Sequence, residues 1–157
     1  MTSLLDRLNA WLPRKRHPVL QAVEPCPQSE AVQRRNLPPM SIPTDNQLTV
    51  EGVSLGRYLF YEKRLSGDNG MSCGSCHSPS LSFSDGKAVP KGIDSIAGPR
   101  STMPLINVGY NHYFFWDGRA ATLEDQILQP VRNTIEMHET WQNAMSNLQA
   151  DAAYTAL

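Results

Sequence analysis

Residues 72–77 of this chain read Ser72-Cys73-Gly74-Ser75-Cys76-His77, and the last five of them form the pattern C-x-x-C-H. Two thiols three positions apart lie on the same side of a helical turn, so they can form thioethers to the two vinyl groups of one haem. The adjacent His77 then faces the iron as its proximal ligand. The pattern therefore predicts a covalently bound c-type haem held by Cys73, Cys76 and His77.

Two other uses of paired cysteines compete with this interpretation. A C-x-x-C pair also occurs in redox disulfides and as one half of a zinc site. A thioredoxin-like site needs a βαβ context and a zinc site needs a second Cys/His pair, and the sequence offers neither. Haem attachment is therefore favoured, and a structural C-x-x-C or zinc domain is kept as a third alternative.

The residues that follow the motif contain many turn signals. Gly, Asp, Asn and Pro cluster at residues 67–70, 84–86 and 97–99, so we expect residues 66–100 to be loops. These loops are expected to wrap around something other than a large side-chain core. A chain of 157 residues has the usual size of one domain. We predict a mainly α haem domain in which long loops surround the cofactor.

A first helix is expected to begin at Thr49, which is a suitable N-cap, and to run to about Arg64. Its apolar face is predicted to consist of Val53, Leu55, Leu59 and Phe60. Gly56 within it costs up to about 1 kcal/mol against alanine. That cost is tolerable if another backbone or a flat cofactor packs closely there.

Two further helices are expected toward the end of the chain. Thr122 is an N-cap followed by two acidic residues, and the helix that it starts should stop before Pro130 or kink there. Its apolar face is predicted to contain Leu123, Ile127 and Leu128. The last helix covers residues 139–157 and has an apolar face made of Trp141, Ala144, Met145 and Leu148. It has no stop signal, so we expect the chain to end within it.

Residues 1–47 differ from the rest in charge and in proline content. The first 40 residues contain six Lys/Arg and three Asp/Glu, whereas the remaining residues contain eight and twelve. The net charge of −1 for the whole chain gives no overall argument for nucleic-acid binding. Seven prolines between residues 13 and 43 predict a basic, extended arm.

Residues 3–12 of this arm have helical spacing, which fits a loosely packed terminal helix or one that touches a membrane surface or a partner. Charged residues interrupt the apolar stretch that a secretory signal needs, so no clear signal peptide is visible. No apolar run approaches about 18 residues, so no transmembrane helix is predicted. Cys26, which lies between two prolines, is expected to be a free thiol.

From about Pro39 to its end the chain resembles the bacterial dihaem cytochrome c peroxidase and MauG family. The resemblance depends on short segments in the family's order, and it looks like the amino-terminal, peroxidatic half of such a protein. A second haem domain, which takes electrons from a donor in the family, is missing, so we expect residues 48–157 to be one truncated haem domain. The segments are Leu55-Gly56-Arg57-Tyr58-Leu59-Phe60, Arg64-Leu65-Ser66, Ser72 to His77, Phe83-Ser84-Asp85-Gly86, Gly98-Pro99-Arg100, Asn107, Phe115-Trp116-Asp117-Gly118-Arg119, Leu123-Glu124-Asp125-Gln126 and Glu136-Met137.

The resemblance implies a cytochrome c-like fold and a set of site residues beyond the haem motif. Glu136 matches the distal glutamate that exchanges protons with peroxide, and Gln126 matches a distal glutamine that hydrogen-bonds it. Trp116 matches the tryptophan between the two haems and is a candidate electron relay. Asp117 and Arg119 are expected to hold the turn at Trp116 by an ion pair.

The sequence departs from the family pattern at two positions. Members that rest with a bis-His haem place a displaceable distal His after a Gly, and here Gly92 is followed by Ile93. An isoleucine cannot ligate iron, so the resemblance implies an open peroxidatic haem without reductive activation, as in MauG-like members. Ser101 replaces an Asn that helps many members to hold an interdomain calcium, so calcium stays an alternative with weak support.

The resemblance implies a periplasmic peroxidase that reduces hydrogen peroxide to water. Electrons would come from a protein such as a small cytochrome c or a cupredoxin, and a homodimer is among the partner expectations. One alternative is a MauG-like haem enzyme that oxidises aromatic residues of a partner protein. Another is a monohaem electron carrier with a methionine as sixth ligand, for which the candidates are Met71, Met103, Met137 and Met145.

The remaining histidines are weaker candidates. His112 lies in an aromatic segment and is either a distal ligand or, more in keeping with a lone histidine, a surface or satisfied residue. His17 and His138 have less support still. Covalent haem attachment takes place outside the cytoplasm, which is the basis for the periplasmic expectation.

Overall fold

The computed structural model describes residues 38–155 of the chain. The predictions for residues 1–37, which include the terminal helix, His17 and Cys26, lie outside the described residues, as do residues 156–157. The described chain divides into two units, one made of residues 38–56 with 148–155 and the other of residues 57–147.

Regular structure in the described residues is helical. The α-helices are α1 (Val50–Tyr61), α2 (Cys73–Cys76), α3 (Leu123–Arg132), α4 (Trp141–Gln149) and α5 (Ala152–Thr155). Short 3-10 helices occur at Lys63–Leu65, Pro79–Leu81 and Val108–Tyr110. β-Structure is limited to the isolated bridges Ser78–Ser84, Lys91–Ala97 and Phe114–Ala120. This arrangement confirms the prediction of a mainly α protein with long loops.

Helix α1 begins where the Thr49 cap predicts. The amide of Gly52 donates to Thr49 Oγ1 at 3.0 Å and satisfies one of the free N–H groups of the first turn. The helix ends at Tyr61, earlier than expected, because Glu62 has an extended backbone. The Glu62 carboxylate instead accepts from the Arg64 amide at 2.8 Å and caps the following 3-10 helix.

The predicted apolar face of α1 is only partly covered. Leu55, Leu59 and Phe60 are half-buried, whereas Val53 is 38% exposed and does not belong to the covered face. Apart from the chain neighbours of Gly56 and the backbone of its own helix, no described atom lies within 4 Å of the position that a Cβ on Gly56 would take. The described chain therefore shows no other backbone segment packed closely against Gly56.

Ser66 organises the turn that leads from the 3-10 helix into α2. It is fully buried, its hydroxyl donates to the carbonyl oxygen of Lys63 at 2.8 Å, and the same hydroxyl accepts from the Met71 amide at 3.2 Å. A buried hydroxyl that both donates and accepts leaves no polar group unsatisfied. This turn sets the direction in which the chain enters α2.

Helix α3 begins as predicted and ends later than predicted. Thr122 caps it by accepting from the Asp125 amide at 3.0 Å. The helix continues past Pro130 to Arg132, since a proline in the last turn removes one internal hydrogen bond and leaves the others intact. Val131 is buried, but Ile127 is 52% exposed and does not belong to the covered face that the spacing predicts.

The single helix expected over residues 139–157 is two helices. The predicted face of α4 is otherwise correct, because Ala144 and Leu148 are buried and Trp141 and Met145 are half-buried. The break follows α4, where Asp151 Oδ1 accepts from the Ala153 amide at 2.8 Å and starts α5. Aspartate at such a position competes with helix continuation, which explains the interruption.

The second unit buries few apolar side chains. Its buried apolar residues are Leu65, Phe114, Ala120, Val131, Met137 and Ala144. Many large apolar side chains of its loops are exposed instead. Within residues 38–155 no helix combines the length and the hydrophobicity that a membrane span requires.

Candidate functional site

The C-x-x-C-H residues lie on a single helical turn. Helix α2 is started by Ser72, whose amide donates to Ser75 Oγ at 3.0 Å, and closed by the His77 amide, which donates to the Cys73 carbonyl at 2.9 Å. Both cysteines are free thiols and half-buried. Their separation of three positions on a helical turn places them on one side of α2.

The aromatic side chains of Phe60 and Tyr61 lie against α2 at Gly74. A Cβ added at Gly74 would come within 2.7 Å of the Tyr61 ring, so only glycine allows this approach. Tyr61 packs edge-on against Phe60 with ring centroids 5.0 Å apart, and Phe60 packs in the same manner against Phe83 at 6.2 Å. Helix α2 therefore packs against aromatic side chains at Gly74.

The imidazole of His77 is oriented by a backbone carbonyl. Its Nδ1 lies 2.8 Å from the carbonyl oxygen of Phe83, and a carbonyl can only accept, so Nδ1 carries the proton. Nε2 then holds the free lone pair and is the nitrogen that can bind a metal. Sequence reasoning missed this contact, because it depends on the path of the loop between Ser78 and Ser84.

Burial is the largest cause of a raised pKa at both thiols. Burial raises the pKa of Cys73, and Cys76 adds a smaller effect. Burial also raises the pKa of Cys76, followed by the negative charges of Asp85 and Glu136.

Glu136 lies in a turn that follows α3 and is held from several directions. Its carboxylate Oε1 accepts from Asn133 Nδ2 at 2.7 Å. Its carbonyl oxygen accepts from the Ile93 amide at 3.0 Å, and the neighbouring Met137 carbonyl accepts from the Gly67 amide at 2.9 Å. Glu136 is half-buried, and Met137 is buried in the apolar core.

Two glycines make this clamping possible. A Cβ at Gly92 would lie 2.5 Å from the Glu136 carbonyl oxygen, and one at Gly67 would lie 2.5 Å from the His138 carbonyl oxygen. The C-terminal end of the turn is also tied, because His138 Nδ1 lies 2.7 Å from Asp94 Oδ2. His138 is exposed and takes part in this surface pair.

Trp116 and Gln126 lie on other parts of the second unit. Trp116 is 56% exposed, and its indole Nε1 donates to the Ser101 carbonyl at 2.8 Å. Gln126 is half-buried in α3. Neither residue forms a hydrogen bond with Glu136 among the described residues, so the three predicted residues do not form one hydrogen-bonded cluster.

The turn at Trp116 is held by charge, as predicted. Asp117 pairs with Arg119 at 3.0 Å and with Arg100 at 2.8 Å. Desolvation opposes ionisation of Asp117, but the hydrogen bonds from Arg119 and Arg100 outweigh it and lower the pKa of this carboxyl. The guanidinium of Arg119 also stacks on the Phe115 ring, 3.4 Å from its centroid.

The sequence profile of the family described as di-haem cytochrome c peroxidase matches residues 50–157 of this chain. The chain belongs to the di-haem cytochrome c peroxidase family. It is 37% identical over 131 residues to the methylamine utilization protein MauG of Methylophilus methylotrophus, an alignment that covers 78% of this chain and 39% of that protein. It is 33% identical over 143 residues to the cytochrome c peroxidase Ccp of Escherichia coli K12, which covers 90% of this chain and 30% of the relative.

A solved structure agrees with the sequence relatives. A MauG-like protein associated with microbial copper homeostasis superposes with a TM-score of 0.71 at 36% identity, over 76% of this chain and 36% of that protein. This likeness confirms the cytochrome c-like helical haem fold. The chain spans between 30% and 39% of the length of these proteins.

Di-haem peroxidases carry c-type haem, and the described residues fit this group. The donor set is complete, since two thiols share one side of a turn and His77 presents an unprotonated Nε2. The Thr102 hydroxyl is buried without a hydrogen-bond partner and can bond a polar group of a cofactor. Several large apolar side chains of the loops are exposed in the absence of a cofactor, namely Leu81, Phe83, Val89, Ile96, Ile106 and Tyr113.

The other candidate ligands have different surroundings. His112 is exposed, and Met137 is part of the apolar core, whereas Met71, Met103 and Met145 are half-buried. Among residues 38–155 no group of three or more His, Cys, Asp or Glu side chains could hold a metal ion between them. The zinc alternative therefore finds no ligand cluster in this part of the chain.

Asn133 is the functional candidate that sequence reasoning missed. It is half-buried and contacts the Glu136 carboxylate, and it also lines an open cleft of about 550 Å³ with Arg119, Gln129 and Arg132. A local signal was available, because Asn side chains often bond the backbone amide two residues later and thereby shape a turn. Asn133 does so with Ile135 at 3.1 Å.

Proposed function

We propose that residues 48–157 form the peroxidatic haem domain of a di-haem peroxidase that reduces hydrogen peroxide to water. The reaction takes two electrons and two protons per peroxide and releases two water molecules. The electrons come from a redox partner protein, for which a small cytochrome c or a cupredoxin is the expected class. Residues 1–47 are proposed to be a basic, proline-rich arm, and a second haem-bearing domain is expected in the complete enzyme.

The observation that carries this proposal is a carboxylate held in a fixed position within the unit that contains the attachment motif. Glu136 Oε1 accepts from Asn133 Nδ2 at 2.7 Å, and the Glu136 carbonyl oxygen accepts from the Ile93 amide at 3.0 Å. An electron carrier has no need of such a carboxylate. A peroxidase needs one, because a proton must move from one peroxide oxygen to the other before the O–O bond can break.

Each residue has a separate task in this proposal. Cys73 and Cys76 hold the haem covalently, and His77 Nε2 binds its iron. A bound haem supplies the iron and the electrons for cleavage of the O–O bond. Glu136 takes the proton from the bound peroxide and returns it to the departing oxygen, while the Gln126 amide orients the peroxide by a hydrogen bond.

Trp116 is proposed as the electron relay of the domain. Its indole is exposed and fixed by the bond from Nε1 to the Ser101 carbonyl. A rigid, exposed aromatic ring suits electron transfer across a surface. The periplasm is the proposed location, because covalent haem attachment takes place outside the cytoplasm. Calcium and a homodimer are not required by any step.

A second candidate function is favoured by the MauG relatives and by Ile93. A MauG-like enzyme would use the oxidised haem to oxidise aromatic residues of a partner protein, with electrons that enter at Trp116. Ile93, the residue after Gly92, occupies the position where bis-His members carry a displaceable histidine ligand. An isoleucine at this position cannot bind iron. The two functions share the same peroxide chemistry and differ in where the electrons originate.

The test uses the chain expressed in the periplasm of a host with haem-attachment machinery. Its ferric absorption and EPR spectra are recorded before and after one equivalent of hydrogen peroxide. We expect a high-spin haem that reacts quickly and that slows by about 100-fold or more in Glu136→Gln. Glu139→Gln is the matched control, since Glu139 bonds the backbone amide of Thr140 at 2.6 Å. A low-spin His/Met spectrum that is indifferent to peroxide would leave an electron carrier instead.

A further inference from the structure

The side chain of Asn133 has a single orientation in this fold. Its Oδ1 accepts from the Ile135 amide at 3.1 Å, and its Nδ2 donates to Glu136 Oε1 at 2.7 Å. With the amide flipped, the NH2 group of Asn133 would face the Ile135 N–H, and its oxygen would face the Glu136 carboxylate. Both of these contacts are repulsive. The donor therefore points at Glu136 by necessity.

The backbone of Asn133 is tied as firmly as its side chain. Its carbonyl oxygen accepts from the amides of Glu136 at 2.9 Å and His138 at 3.0 Å. Its own amide donates to the Gln129 carbonyl at 3.0 Å and so continues the hydrogen bonding of α3. Asn133 thus connects the end of a helix directly to the Glu136 carboxylate.

Apart from the bond between its amide and the Asn133 carbonyl, which any residue at position 133 can accept, the main chain of Glu136 is held by contacts that do not involve Asn133. The Ile93 amide bonds its carbonyl oxygen, and the Gly67 amide bonds the carbonyl oxygen of Met137. These bonds determine where the Cα of Glu136 lies. They leave the torsions of its side chain free, and the bond from Asn133 Nδ2 is the contact that restricts them.

This geometry assigns separate tasks to the two carboxylate oxygens. Oε1 is occupied by the Asn133 donor, so Oε2 is the oxygen with capacity for a proton. The carboxylate is therefore presented to peroxide in one orientation.

We propose that Asn133 is a positioning residue for Glu136, whose side-chain amide holds the carboxylate so that Oε2 exchanges the proton with peroxide. This inference rests on the proposed function, because it gives Asn133 a task only if Glu136 moves protons. Asn133 acts through Glu136 and touches neither peroxide nor haem in this scheme.

The test measures two rates in the haem-loaded chain. One is the reaction of the ferric haem with hydrogen peroxide. The other is cyanide binding to the ferric haem, which involves no turnover and no electron donor but requires that HCN lose its proton. The variants are Asn133→Ala, Asn133→Asp, Glu136→Gln and the double variant Asn133→Ala/Glu136→Gln, and Asn143→Ala is the control because Asn143 is an exposed residue of α4.

Asn133→Ala is expected to slow both rates by roughly tenfold, a part of what an acid-base group contributes. The double variant is expected to be no slower than Glu136→Gln alone, because the two residues act as one unit. Asn133→Asp keeps the acceptor for the Ile135 amide but places a carboxylate against Glu136, so it is expected to slow the rates at least as much. The haem spectrum and the melting temperature report whether each variant is folded. If Asn133→Ala does not fold, Asn133→Asp provides the test in its place.

Each result distinguishes the inference from the proposed function. If Glu136→Gln slows both rates but neither Asn133 variant does, Asn133 does not position the carboxylate. Asn133→Ala can be added to the wild-type chain or to the Glu136→Gln variant. If it slows the rates by the same factor in both, its effect is structural and the inference is wrong. If Glu136→Gln changes neither rate, the proposed function itself fails.

Discussion

The Nδ1 atom of His77 lies 2.8 Å from the carbonyl oxygen of Phe83. The loop that delivers this oxygen has two consecutive residues with left-handed backbone conformations, Ser82 at φ 58° and Phe83 at φ 57°. Such a conformation costs roughly 1–2 kcal/mol for each residue that is not glycine. The strained backbone of this loop therefore lowers the stability of the fold, but it keeps the imidazole in one orientation.

The first prediction concerns Ser82. Ser82→Val is expected to lower the free energy of unfolding by about 1–2 kcal/mol, because a β-branched residue tolerates a left-handed conformation poorly. It should also disturb the His77 orientation and shift the haem absorption. Ser82→Gly at the same position is the control and should retain the wild-type spectrum. Denaturant unfolding and ferric spectra measure both effects, and a valine variant as stable as the glycine variant would contradict the account.

The second prediction concerns Gly92. A Cβ at this position would lie 2.3 Å from the Ile135 carbonyl oxygen, so Gly92→Ala must push the loop away from the Glu136 turn. We expect a loss of about 1–3 kcal/mol in unfolding free energy and a slower reaction with peroxide. Thermal unfolding and stopped-flow absorbance measure the two. An unchanged melting temperature would show that the loop does not rest on this turn in solution.

The third prediction concerns the pH dependence of stability at Asp117. Hydrogen bonds from Arg119 and Arg100 outweigh desolvation and lower its pKa in the folded chain from the ordinary value of 3.8. A carboxyl with a lowered folded pKa stabilises the fold above pH 3.8, and this contribution disappears as the pH falls through the folded pKa. Asp117→Asn should therefore lower the melting temperature at pH 7.

The difference between Asp117→Asn and wild type should narrow below pH 3.8. Thermal unfolding followed by circular dichroism across this pH range provides the measurement. Asp45→Asn, which changes an exposed aspartate near the start of the described chain, is the control. If the difference in melting temperature stays constant down to pH 3, the charge of Asp117 is not the source of the stability that Asp117→Asn removes.

The fourth prediction concerns Gly56 in the middle of α1. Outside its chain neighbours and the backbone of α1, no described atom lies within 4 Å of a Cβ at this position. Gly56→Ala should therefore raise the free energy of unfolding by about 0.5–1 kcal/mol, since alanine is the better helix former. Denaturant unfolding of the haem-loaded protein tests this. A loss of stability together with a shifted haem spectrum would mean that the cofactor packs against residue 56.

Features that depend on neighbouring residues were predictable from sequence. The caps at Thr49 and Thr122 each need a hydroxyl and an amide within three residues, and both form as expected. The ion pair between Asp117 and Arg119 is equally local. The C-x-x-C-H pattern belongs to the same class, because one helical turn brings its residues to one side.

Features that depend on contacts between distant segments were not predictable. Hydrophobic periodicity marked Val53 and Ile127 as covered, but exposure depends on what packs against a helix, and both are exposed. The end of α4 depends on the Asp151 cap, whose competition with the helix is not visible in periodicity. The assignment of Glu136 as the distal acid-base residue is a prediction from a family resemblance and not from any pattern in the residues themselves.

The clamping of the Glu136 turn also has a consequence for sequence divergence. The contacts made by Gly67 and by the loop at Gly92 use main-chain atoms of residues 135–138, and main-chain atoms are the same for every residue type. Side chains at Thr134 and Ile135 can therefore be exchanged without moving the carboxylate. The side chains of this turn can diversify by point substitution, while the two glycines keep the main chain of Glu136 in a constant position.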